Sequence, residues 1–323
     1  MSINSVNNVV SQMPVQNVQK NTNQKSYVLN DNQPDTVELS NKKAKSKRNK
    51  IIAGVALAAG AVLVGIAVYK KKKAINEIPK DLQDLFTSLK NKNGKEFIDD
   101  AYSGLVKYMG LDDIAPAKVE ITDNADGIFN TITGGFHPKE NAIKYSQGFS
   151  TKLTKKEQFN MLSHELQHCK QFNQVIRTEG LGVEALAESM ANNAMQKDMF
   201  GRDIKETLTQ KLGEEGASKF IKQEKEKMCS KLIPELKEKY GKTLSLDKFA
   251  ADSAEGLQAK KYMEAYSNYE GLDWFGIGSE KYRANLLEQE AYSFGNKMEK
   301  AFATMQNPIS AFIDYAKLIM QNM

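Results

Sequence analysis

The chain has 323 residues with 45 Lys and Arg, 40 Asp and Glu, three His and two Cys, for a formal charge of +5. Ten of the 45 basic residues stand in two runs, at 42–50 and 70–73, leaving 35 against 40 acidic ones; the remainder is mildly acidic, which excludes nucleic acid as a partner read from charge. Two cysteines are too few for a disulfide framework.

Residues 1–41 are dense in Asn, Gln, Ser and Val with Tyr27 as their one aromatic, and predict a disordered tail that ends at the basic run reaching residue 50. Ile51–Tyr69 is uncharged for 19 residues. At about 1.5 Å per residue it spans roughly 28 Å, enough for a bilayer core. The abrupt lysine borders predict an uncleaved transmembrane helix over 51–69, with the basic flanks at anionic headgroups. Six basic residues precede it and four follow, which places the N-terminus inside and the following domain on the non-cytoplasmic side. Residues 74–323 then form one domain.

Within it, residues 78–109 read as helical, with Leu82, Leu85, Phe86, Leu89, Phe97 and Leu105 as apolar positions. Lys118–Asp123 alternates like a half-buried strand. Gly134–His137 and Asn141–Tyr145 flank Pro138-Lys139-Glu140 and read as a hairpin. Thr154-Lys155-Lys156-Glu157 is a capping box that opens a helix. Phe159, Leu162, Leu166, Cys169 and Phe172 form its buried stripe, and Gly180 supplies its stop. Cys169 is core filler on this pattern. Residues 203–271 are rich in Lys and Glu, with Leu208, Leu212, Phe220 and Ile221 at helical intervals; Gly213, Gly216, Pro234, Gly241 and Gly271 predict short helices. This stretch reads as a packing lobe with a solvated face. Asn307-Pro308 opens a final amphipathic helix carrying Ile309, Phe312, Ile313 and Ile319. No tandem repeat is present.

The predicted helix after Thr154 carries His164-Glu165-Leu166-Gln167-His168, which uses two of the three histidines. Positions i and i+4 project from one helical face, so both imidazoles can reach one metal ion, with Glu165 beside them to accept a proton. The run resembles the H-E-x-x-H motif of the zincin metallopeptidases, and the preceding strands extend the resemblance over about residues 117–177. It implies an α+β, predominantly helical fold: a small antiparallel sheet followed by the motif helix and a helical C-terminal lobe. It also implies an edge strand that aligns an extended substrate by strand addition. His137, on the hairpin, reads as a turn or surface histidine.

A catalytic zinc needs a third protein ligand and an open position for water. No histidine follows His168, so a carboxylate is expected, as in the gluzincin group. Glu184 and Glu188 on the next predicted helix compete with Glu290. Tyr282–Tyr292 resembles a Tyr-x-x-Asn-x-x-Glu-x-Glu-Ala pattern that accompanies such helices, and this implies Glu290 as the ligand, with Ala291 allowing close helix approach. Glu288 is then expected behind the site or at the surface. Tyr262, Tyr266, Tyr269, Tyr282 and Tyr292 are given no role.

The expected function is therefore membrane-anchored, zinc-dependent hydrolysis of peptide bonds in a peptide or protein substrate, by an endopeptidase rather than an exopeptidase. His164, His168 and Glu290 bind Zn2+, and Glu165 is the general base. The competing expectation is a membrane-tethered helical interaction protein with a zincin fold and a weak or inactive site.

Overall fold

The chain is described here by a computed structural model over residues 65–116, 118–122, 134–197, 202–269 and 280–306. The predicted tail, most of the predicted 51–69 span, Gly271 and the helix expected after Asn307 lie outside these residues. Residues 65–76 are helical. No helix among the described residues is long and apolar enough to cross a membrane. This overturns the single-pass membrane localisation expected from the sequence.

The helix predicted over 78–109 is two helices, α1 (Lys80–Ser88) and α2 (Gly94–Tyr108). The polar run at 90–93 separates them, and Gly94 takes φ of 52°, a left-handed conformation that favours glycine. Leu82, Phe86, Leu89, Phe97 and Leu105 are all buried as their spacing predicts. Three strands follow: β1 (Val119–Thr122), β2 (Gly134–His137) and β3 (Ala142–Ser146), in the order β1-β3-β2. The expected hairpin is present, with Phe136 opposite Ile143 in the antiparallel β2–β3 pair. The sheet is mixed rather than antiparallel, because β1 runs parallel to β3 with Val119 opposite Ile143. Period-2 alternation marks a strand but is the same for either direction, so the sequence pattern does not distinguish them.

After the short helix α3 (Gly148–Thr151) comes α4 (Lys155–Ile176), the motif helix. Its capping box forms as read: the Glu157 N–H donates to Thr154 Oγ1 at 3.3 Å, and the Thr154 N–H donates to Glu157 Oε2 at 2.8 Å. Helix α5 (Gly182–Ala194) follows. The lobe opens with α6 (Ile204–Lys239), one long helical run kinked at Gly213 where short helices were expected. Gly216 stays helical, since a single glycine weakens a helix by only about 1 kcal/mol and does not by itself end it. Helices α7 (Gly241–Leu244), α8 (Ala254–Ser267), α9 (Glu280–Ala284) and α10 (Leu286–Gln306) complete the described chain.

Two apolar clusters share α4. The first joins α1, α2, the sheet and the front half of α4 to the far end of α10, where Phe302 packs on Phe86, Phe97 and Phe159 at centroid distances of 5.0–5.9 Å. Burying each such ring contributes about 1.5–3 kcal/mol. The second cluster joins Phe172, Val175 and Ile176 to α5, α6 and α8, with Leu287 at the start of α10. Residues 164–171 lie where the two clusters meet.

Helix α10 lies antiparallel along α4: Gln171 bonds Leu287 and Glu290, the His164 ring meets Tyr292, and Asn160 reaches Asn296 and Glu299. Small residues allow this approach. Ala291 is fully buried, and a Cβ on Gly295 would stand 2.7 Å from Asn160 Oδ1 and 3.1 Å from its backbone oxygen. Helix α8 packs directly against α4 and α5. It bonds α4 through Gln174 Nε2 to Glu255 O (2.7 Å) and α5 through Asn193 Nδ2 to Tyr266 O (3.0 Å).

Candidate metal centre

Four buried side chains converge where α4, α10 and β2 come together. His164 and His168 are one turn apart on α4, so their rings point the same way, with the two Nε2 atoms 3.1 Å apart. The third group comes from α10, and it is Glu288. Its Oε2 lies 3.4 Å from His164 Nε2 and its Oε1 lies 3.4 Å from His168 Nε2. Among the described residues these three are the one group of His, Cys, Asp and Glu side chains placed to share a metal ion.

The expectation of Glu290 as third ligand is therefore corrected. Neighbouring residues on a helix point about 100° apart, so Glu290 reaches α4 only at Gln171, on the flank of the face that Ala291 turns to it, and not at the histidines. Glu288 shares that face, standing three residues before Ala291 and seven before Gly295. Glu290 is turned towards α8 instead, where its Oε1 accepts from Gln258 Nε2 (2.9 Å) and its Oε2 from the Tyr262 hydroxyl (2.6 Å). Glu184 pairs with Lys237 at 2.8 Å, both exposed, and Glu188 is exposed beside a separate groove against α6. Neither approaches the histidines. His137 is exposed on the hairpin, as read. Cys169 is fully buried, and burial pushes its thiol up to about 12, which suits core filler and not a ligand.

Glu165 is 9 % exposed and lies against the backbone of β2. Its Oε2 accepts from the Phe136 N–H at 2.7 Å, and its Oε1 is 3.9 Å from His164 Nε2. Gly135 makes room for it, since a Cβ there would come within 3.3 Å of the carboxylate.

The electrostatics bind these groups into one unit. Burial opposes the charge on Glu288, but His164, His168 and the Tyr269 hydroxyl (2.8 Å to Oε1) outweigh it and hold the carboxyl well below the usual range. Burial would lower His168, but Glu288, Glu165 and Gln171 prevail and raise it. Glu288 Oε2 is buried and makes no hydrogen bond, although a buried oxygen ordinarily has a donor. A carboxylate oxygen left free beside two imidazole nitrogens fits a cation.

Three groups without an assigned role in the sequence belong to the site. Gln171 accepts through Oε1 from His168 Nδ1 at 2.9 Å; its i+3 spacing from His168 on the same helical face was the available signal. Tyr269 donates to Glu288. Tyr292, four residues after Glu288, sets its ring edge-on to His164 at 4.6 Å and is partly exposed. A cavity of about 350 Å³ opens on His168 and Glu288, walled by Phe136, Phe172 and Tyr269. No family model, curated protein or solved structure matches the chain.

Proposed function

We propose that this protein is a zinc-dependent metallopeptidase of zincin type, with His164, His168 and Glu288 as ligands and Glu165 as general base. The observation that carries the reading is the spacing of the ligating atoms. Zinc bonds of roughly 2.0–2.1 Å in a tetrahedron put ligand atoms roughly 3.3–3.4 Å apart. Here the two Nε2 atoms are 3.1 Å apart and each lies 3.4 Å from a different Glu288 oxygen, Oε2 for His164 and Oε1 for His168, with one ligand atom from each residue within 4.8 Å of the others. Two imidazoles and one carboxylate also match the donor set of catalytic rather than structural zinc, which leaves one position open.

A zinc ion bound there supplies a Lewis acid that polarises a scissile carbonyl and brings the pKa of water towards neutrality. Glu165 takes the proton from the attacking water and returns it to the leaving amine. The Phe136 N–H holds that carboxylate in place, so its aim is set before substrate arrives. Strand β2 is the sheet edge beside the site, which suits an extended peptide added as a further strand.

An endopeptidase is favoured because a second cavity adjoins the one at the site. The cavity at His168 shares Pro138 and Tyr266 with a second one, of about 560 Å³, walled by Met190, Met228 and Leu232. A chain that continues past the scissile bond fits such a groove. The competing reading, an interaction protein with an inactive site, expects no third carboxylate near the histidines, and Glu288 argues against it. The test is metal content: the purified chain holds about one zinc, and the His164→Ala, His168→Ala double variant holds none. Stoichiometric zinc in the double variant refutes the site.

A further inference from the structure

We infer that Glu290 is a positioning residue for the metal centre: acting through the Gln171 amide, and itself clamped by Gln258 and Tyr262 of α8, it fixes the His168 ring with Nε2 bare and directed at the ligand position. This inference rests on the metal-site reading above.

A glutamine amide can turn by 180° and exchange donor for acceptor, so its polarity must be set by its neighbours. Gln171 is fully buried, and its Nε2 lies 3.2 Å from Leu287 O and 3.2 Å from Glu290 Oε2. Leu287 O is a carbonyl oxygen and can only accept, so the NH2 must face it and Glu290 Oε2 beside it. Oε1 then faces His168 Nδ1 at 2.9 Å. An amide oxygen accepts, so Nδ1 must carry a proton, and in the neutral ring Nε2 then presents its lone pair. That is the form a ligand needs.

Leu287 O satisfies one of the two amide protons and Glu290 the other. Without Glu290 a buried donor loses its partner, and the turned amide, with NH2 towards the ring, competes. The turned amide favours the opposite tautomer, whose Nε2 bears a proton and blocks ligation. Glu290 is in turn held by donors alone: Gln258 Nε2 at 2.9 Å, Tyr262 Oη at 2.6 Å and Gln171. Gln258 and Tyr262 both lie on α8, so the lobe between the two ligand helices contributes to the site without touching the ion. Residues that orient a ligating histidine typically alter metal affinity 10–100-fold when removed.

The test reads zinc affinity by chelator competition, and the His168 Nδ1–H resonance by 15N-edited NMR, in the full chain with and without zinc. Glu290→Met is expected to weaken zinc by at least about tenfold. It is also expected to lose the ring-proton signal to solvent exchange. Glu290→Gln keeps an acceptor towards Gln171 and is expected to restore both, which a merely structural role does not predict. Gln171→Met removes the relay directly and is expected to reproduce the loss, keeping the test open if Glu290→Met fails to fold. An unchanged ring proton and unchanged affinity in either methionine variant overturns the inference. If the wild-type chain binds no zinc, the metal reading fails, and the ring proton of the metal-free chain still decides the relay.

Discussion

Replacing Glu288 by Ala isolates the contribution of the third ligand. The carboxylate is 1 % exposed and reaches both imidazoles at 3.4 Å, so its removal takes away one of the three protein ligands. Zinc held by four protein ligands is bound by roughly 10–16 kcal/mol, so one ligand accounts for about 2.5–4 kcal/mol. At about 1.4 kcal/mol per decade this weakens binding some 10²–10³-fold. One effect opposes the loss. Glu288 helps to keep His168 protonated, and its removal lowers the proton competition that zinc must overcome. Measuring at alkaline pH removes that offset. Zinc affinity by competition with a chromophoric chelator is then expected to fall about 100-fold or more, while Glu184→Ala and Glu188→Ala stay within about threefold. Wild-type affinity in Glu288→Ala refutes the assignment, and a large loss in Glu184→Ala or Glu188→Ala refutes the geometry.

The metal-free site carries its own pH signature. His168 is raised, so its pairing with Glu288 stabilises the fold at pH values below the ordinary histidine range and is lost as pH rises through the raised value; Glu288, being lowered, keeps its part until pH falls through that lowered value. Urea titrations of chelator-treated wild type and Glu288→Gln should therefore differ most in mild acid and converge in alkali, and a gap independent of pH contradicts the pairing. Gly295→Val is expected to force α10 from α4 at Asn160, destabilising the chain by about 1–3 kcal/mol and weakening zinc, as thermal melts and chelator competition would show. Normal stability and affinity in that variant mean that the helices tolerate separation there. Aromatic disulfide reagents should label Cys229 in the folded chain and Cys169 only after unfolding, because Cys169 is fully buried and Cys229 partly exposed. Prompt labelling of both thiols contradicts the packing of α4.

What the sequence made legible is what is decided locally. The Thr154–Glu157 capping box, the stripe from Phe159 to Phe172 and the hairpin around Pro138–Glu140 each depend on residues a few positions apart, and each stands where the pattern put it. The partner of His164 and His168 depends on the register of two helices far apart in sequence. Read by motif, Glu290 took the role because it adjoins Ala291. Read by face, Ala291 and Gly295 mark the side of α10 that meets α4, and Glu288 lies on that side. Parallel pairing of β1 with β3 and the seating of α8 against α4 are likewise long-range outcomes with no local signature. The membrane reading rested on the apolar run before Lys70, and no helix among the described residues is long and apolar enough to cross a membrane.

If Glu165 works on a substrate beside a metal held by its neighbours, replacing its carboxylate by an amide stops turnover and leaves the metal in place. Quenched-fluorescence peptide libraries are incubated with zinc-loaded wild type and with zinc-loaded Glu165→Gln at equal metal content. Cleavage by the wild type is expected, with a loss of about three or more orders of magnitude in the variant and one zinc per chain retained in both. Equal rates in the two proteins, or no cleavage by the zinc-loaded wild type, would contradict that role of Glu165.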